Sequence, residues 1–119
     1  MANEITVTAS LAYAKNSYSI TLAKTGSQFN VSGTKYHSGV QTIGTSEEAL
    51  SKGDIGTIGF CILINRDATN YVSIRRATGE GNMIKLKPGE PALFRMEATA
   101  PYAIANTAAC ELEVLMIED

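Results

Sequence analysis

Apolar and polar residues alternate with a period of two along most of this chain. Ile5, Val7, Ala9 and Leu11 fall on one side of an extended segment, with Glu4, Thr6, Thr8 and Ser10 on the other. Such alternation is the mark of a half-buried β-strand. It recurs at Tyr18, Ile20 and Leu22, at Phe29 and Val31 after a Thr25-Gly26-Ser27 turn signal, and at Val40 and Ile43. "TIGFCILIN" differs: Ile58, Phe60, Ile62 and Ile64 form one apolar face, and Cys61 and Leu63 add a second. A strand apolar on both sides is covered on both sides, which places it centrally or against a partner.

Further strands are expected at "YVSIRRA", "MIKLK", "ALFRM", "YAIA" and "CELEVLMIE". Turns separate them at Thr78–Asn82, at Pro88-Gly89, where proline presets φ and glycine accepts a positive φ, and around Pro101. "GTSEEALSKGDIG" reads as a loop holding at most one helical turn, because Gly53 and Gly56 stop its growth. No 3.6-residue apolar stripe persists beyond a turn. Short strands with turn signals every eight to twelve residues or so predict an all-β sandwich or barrel. The expectation is a single domain over residues 1–119, a jelly-roll-like or Greek-key sandwich of about eight short strands.

Composition supports a folded core. The 119 residues are 45% hydrophobic and 18% charged, far from the signature of disorder. A formal net charge of −2 creates no field that would attract nucleic acid or an anionic membrane. Arg75 and Arg76 are neighbours in a strand-like run and so point to opposite faces. The first residues lack the basic and apolar regions of a secretory signal, and no apolar run is long enough to cross a bilayer. Synthesis in a cytoplasm is therefore expected. Cys61 and Cys110 lack metal-ligand spacing and sit in apolar runs, as buried thiols do.

Candidate chemistry was weighed at four places. In "NRDATN", Asp67 has the makings of a general base, Arg66 of an anion clamp and Thr69 of a nucleophile. A hydroxyl nucleophile needs a base within reach, and none is supplied, whereas Asp and Asn bond their own backbone in tight turns. The corner between two strands is the expected role. His37, the only histidine, is too few for a zinc site even beside Glu47, Glu48 or Asp54; a solvated loop histidine and a solvent-facing acidic loop are expected. "GDIGTIG" lacks the Lys-Ser/Thr of a phosphate loop and runs into a strand. Tyr13, Tyr18 and Tyr36, with Phe29, are aromatic anchors of the kind that interfaces use. No catalytic, cofactor-binding or metal-binding residue is assigned. The candidate interface is Ile5, Val7, Tyr13, Tyr18 and Tyr36, within a contact region comprising residues 1–11 and 13–18, and Tyr36.

Four segments carry a resemblance: "GVQTIGTSEEAL" (39–50), "RDATNYVSI" (66–74), "KLKPGEPALFRM" (85–96) and "NTAACELEVLMIED" (106–119). In order and spacing they resemble small bacteriophage virion proteins. The resemblance implies a non-enzymatic structural component of a tailed-phage particle and brings no ligand-binding residues with it. The expected role is a capsid cement or decoration protein bridging capsid subunits. Its partners would be the major capsid protein, another virion protein, or further copies of itself as a trimer or other multimer. A tail, neck or fibre component, and a carbohydrate- or receptor-binding sandwich, are the alternatives.

Overall fold

The computed structural model describes residues 3–119. Its ten strands are β1 (Ile5–Lys15), β2 (Tyr18–Phe29), β3 (Tyr36–Ile43), β4 (Glu48–Ala49), β5 (Ile58–Asn65), β6 (Val72–Arg75), β7 (Asn82–Leu86), β8 (Pro91–Arg95), β9 (Tyr102–Ala105) and β10 (Cys110–Glu118). The fold is all-β, and every pairing is antiparallel. The chain divides into two compact units, Met1–Ser32 and Gly33–Asp119.

The larger unit is a sandwich of two four-stranded sheets, ordered β3-β10-β5-β8 and β4-β9-β6-β7. Within it the first strand pairs with the last, the second with the next to last, the third with the sixth and the fourth with the fifth. A long antiparallel ribbon rolled in this way is a jelly roll. Alternation decides what each strand contributes to its interior. On β10, Cys110, Leu112, Val114 and Met116 point inward and are buried, and on β5 so do Cys61 and Leu63. Val72, Ile74, Leu86, Ala103 and Ala105 face them from the second sheet. Fully burying a Leu, Ile, Val or Met side chain is worth about 1.5–3 kcal/mol, so this inner layer is the unit's main source of stability.

The loop expected between β3 and β5 contains the two-residue β4 rather than a helical turn. Glu48 and Ala49 pair with Ala103 and Tyr102, and Leu50 N–H donates to the Pro101 carbonyl at 2.9 Å. The carboxylate of Glu48 accepts from Gly44 N–H at 2.8 Å and holds the corner ahead of β4.

The smaller unit is one long hairpin. β1 and β2 pair over ten positions from Ile5↔Phe29 to Lys15↔Tyr18, turning through Asn16 and Ser17. Asn16 takes φ 59°, the left-handed value that asparagine tolerates at a hairpin tip. Thr25-Gly26-Ser27 is not a turn between strands. It is a bulge inside β2, where Gly26 adopts φ 67° and its N–H donates to Thr8 Oγ1 at 3.0 Å. A glycine in the left-handed region is what such a bulge requires. β1 and β2 join neither sheet of the jelly roll.

Candidate functional site

The polar cluster after β5 is a structural corner. Asn65, the last residue of β5, is fully buried. Its amide nitrogen donates to the carbonyls of Asn70 and Leu86 at 3.0 and 2.9 Å, and its Oδ1 accepts from Asp67 N–H at 2.9 Å. Asp67 Oδ2 in turn accepts from the N–H groups of Thr69 and Asn70 at 2.9 and 2.6 Å. Those backbone bonds, Asn70 first, hold the Asp67 carboxyl below its ordinary range. A carboxylate so stabilised is a turn brace and a poor proton acceptor. Arg66 reaches across to Glu113 at 3.1 Å on the exposed surface.

Two other carboxylates are more tightly engaged than the sequence indicates. Glu47 is not a solvent-facing loop acid. It accepts from Thr78 Oγ1 and from Gly79 N–H, and pairs with Arg75 at 2.6 Å. These contacts, the Thr78 hydroxyl first, lower its pKa. Glu47 thereby ties the segment before β4 to the β6–β7 turn. Glu118 accepts from Gly56 N–H at 3.0 Å and Thr34 N–H at 3.1 Å, and those bonds likewise lower its pKa. Nothing in the local sequence marks Glu118 as a brace, because its partners lie 62 and 84 residues away.

His37 sits on β3 opposite Met116, half-buried and not in a loop, beside a recess of about 180 Å³ that it shares with Gln41 and Ser51. Among the described residues no group of three or more His, Cys, Asp or Glu is placed to hold a metal ion. Cys61 and Cys110 are buried free thiols. Burial pushes Cys61 up to about 12 and raises Cys110 as well. Cys61 pairs with Met116 across β10, so Cys110 is six positions away, about 20 Å along an extended strand and far outside disulfide reach. A groove of the jelly roll, about 700 Å³, is lined by Met83, Ile84, Phe94 and Met96 with Arg76 and Glu97. Arg76 is already paired with Glu80 at 2.9 Å.

What remains is exposed apolar surface, and it is concentrated in two places. In the hairpin every residue from position 8 to 26 is exposed. Cross-strand partners share a face, so Leu11–Leu22 and Tyr13–Ile20 lie on one side with Lys15–Tyr18 and Ala9–Lys24 at the ends. The opposite side carries only small residues, Ser10–Ala23, Ala12–Thr21 and Ala14–Ser19. Leu22 and Leu11 are 80% and 76% exposed. The second place is the outer face of the β3-β10-β5-β8 sheet. There Ser38, Leu115, Ile62 and Leu93 form one row across the sheet and Val40, Glu113, Ile64 and Pro91 the next. Leu93 and Leu115 are more than a third exposed. The doubly apolar pattern of β5 thus has one side in the core and the other, with Phe60, Ile62 and Ile64, only half covered.

Of the five residues expected at a contact, three are exposed and two half-buried. Tyr13 and Tyr18 are exposed on the hairpin, and Tyr36 is exposed at the start of β3. Ile5 and Val7 are half-buried at the base of the hairpin. Met1 and Ala2, the first residues of that contact segment, lie outside the described residues. The Tyr13 and Tyr18 rings stand 6.5 Å apart at 64°, an edge-on pair and not the flat platform on which a sugar ring stacks. Leu11 lies within the expected contact segment, whereas Ile20, Leu22, Leu93 and Leu115 lie outside it; for Leu115 the excess of apolar residues in "LEVLMIE" is the available signal. No family model, no curated protein and no solved structure matches the chain.

Proposed function

We propose that this chain is a structural component of a tailed-phage particle, acting as a capsid-stabilising cement or decoration protein. It is made in the host cytoplasm and resides in the virion, and it works by contact rather than by catalysis. One observation carries this reading: a 25-residue stretch forms a hairpin that joins neither sheet and presents Leu11, Tyr13, Tyr18, Ile20 and Leu22 to solvent. Monomeric soluble proteins rarely leave contiguous apolar faces uncovered. The resemblance of residues 39–50, 66–74, 85–96 and 106–119 to small virion proteins supplies the setting.

In this role the jelly roll is the rigid body, and the hairpin and outer sheet face are the adhesive. Each copy bridges neighbouring capsid subunits, and many weak contacts add up through multivalency. Two open strand edges on the hairpin can also extend a neighbour's sheet by backbone hydrogen bonds.

Stoichiometry in purified particles tests the proposal. Abundance comparable with that of the major capsid protein is the expected result. The copy number of a single ring would move the protein to a neck or tail position, and its absence from particles would refute the virion assignment.

A further inference from the structure

The hairpin and the outer sheet face both expose apolar side chains, and they match each other in chemistry and spacing. On the hairpin's apolar side the order along the ribbon is Lys15–Tyr18, Tyr13–Ile20, Leu11–Leu22, Ala9–Lys24. Two cations therefore bracket two aliphatic and aromatic rows. Residues 5–29 include Lys15 and Lys24 and no acid, so the net charge of −2 rests on the rest of the chain. Along β10 the outward positions run Glu111, Glu113, Leu115, Ile117, with Asp119 just beyond the strand. Glu113 and Asp119 bracket two aliphatic residues, and Glu111, which accepts from Thr42 Oγ1 at 3.0 Å, adds a further acid beyond Glu113. At about 3.4 Å per residue, the Lys15 and Lys24 rows are roughly 20 Å apart, and so are Glu113 and Asp119.

The two acids are not locked away. Glu113 pairs with Arg66 and Asp119 with Arg95, but all four side chains are about half exposed. Exposed pairs of this kind contribute little and readily share a second cation. Arg66 and Arg95 are themselves on this surface, and their guanidinium groups are held to the sheet, Arg95 over the Phe60 ring at 4.7 Å.

We infer that the apolar side of the β1–β2 hairpin of one copy docks on the outer face of the β3-β10-β5-β8 sheet of a second copy of this chain. The contact is heterologous: each copy gives a hairpin and receives one. Such contacts close into rings when the rotation allows. A two-stranded ribbon of eleven residues measures about 37 by 10 Å, well below the roughly 800 Å² per partner of a stable interface. One junction is therefore weak. A closed ring doubles the surface each copy buries, to about 740 Å² over two junctions, close to that figure, and ties each junction to the next. This inference names the partner and the surfaces. It does not depend on the particle assignment, because it concerns the purified protein alone.

Complementation between two full-length variants tests it. Leu22→Asp spoils the hairpin and leaves the sheet face intact; Leu115→Asp does the reverse. Sedimentation velocity at low salt should show the unaltered protein associating with concentration into multiples of its 12.7 kDa mass. Each variant alone should remain a monomer, and an equal mixture should form a dimer at most, seen at the highest concentrations and weaker than the assembly of the unaltered protein, since only one competent junction is left. Far-UV circular dichroism like that of the unaltered protein, with a cooperative urea transition, establishes that the variants fold. Should Leu115→Asp unfold the sandwich, Leu93→Asp on the edge strand β8 takes its place. An unaltered protein that stays monomeric at every concentration overturns the inference. So does a mixture that stays monomeric, which would mean the surfaces meet like with like or not at all. Neither result would alter the protein's abundance in particles, so the two proposals fail separately.

Discussion

Replacing Asn65 by alanine should be among the most damaging single changes to the jelly roll. Its amide ties three backbone groups together: the carbonyls of Asn70 and Leu86 and the N–H of Asp67. The Leu86 bond is fully buried; the other two are partly buried. A buried group left without its partner costs about 1–3 kcal/mol, and a typical bond about 0.5–1.5 kcal/mol. One of the first kind and two of the second give a loss of about 2–6 kcal/mol, centred near 4. Urea slopes of small proteins lie around 1–3 kcal/mol per molar, so the midpoint should fall by roughly 2 M. Circular dichroism and tyrosine fluorescence follow the transition, as the chain has no tryptophan. Thr69→Ala is the control. Only its backbone N–H enters the bonds of this corner, and the change should stay within about 0.5 kcal/mol of the parent. A loss below about 1 kcal/mol for Asn65→Ala would refute the assignment of the cluster as a structural brace.

Three further outcomes are expected. Asp67, Glu47 and Glu118 all have folded-state pKa values below the ordinary ones, so the unfolded chain binds protons first as pH falls. Stability should be level at neutral pH, fall as pH drops through the usual carboxylate range, and fall less steeply in Glu118→Gln; a level acid limb in the parent would contradict this. With Cys61 pushed up to about 12 and Cys110 buried, a thiol–disulfide exchange reagent should label neither thiol in the native protein and both in urea, whereas rapid native labelling would be the contrary result. At Gly33 a Cβ would stand 2.6 Å from Glu118 Cγ and 2.8 Å from its backbone oxygen, while at Gly39 it would meet nothing within 4 Å. Thermal unfolding should therefore show Gly33→Ala less stable by about 1–3 kcal/mol and Gly39→Ala little changed, with equal melting of the two as the refuting result.

Period-two alternation was enough to read the all-β class and most strands, because a half-buried strand writes its two faces directly into the residue order. β5, β7, β8, β9 and β10 lie where their alternation puts them. Thr25-Gly26-Ser27 misled because a bulge and a hairpin turn both need a glycine at positive φ; the difference lies in Val7 and Thr8 on the opposite strand. β4 was missed because two residues are too short to alternate, and it exists through the distant Tyr102 and Ala103. The engagement of Glu47 and Glu118 depends on contacts far along the chain, which local pattern does not encode. Alternation also says that one side of a strand is apolar without saying what covers it. That is why β1 and β2 read like core strands while they belong to neither sheet of the sandwich.

Pairing the earliest strand of the roll with the latest has a consequence for how the molecule is born. Residues 5–29 close a hairpin through a two-residue turn, a local event on a microsecond scale. β3 gains its neighbour only once residues 110–118 have left the ribosome, and long-range pairings of this sort are slow. During synthesis the apolar-faced hairpin is thus ready well before the jelly roll, and crowding among nascent chains would expose that mismatch first.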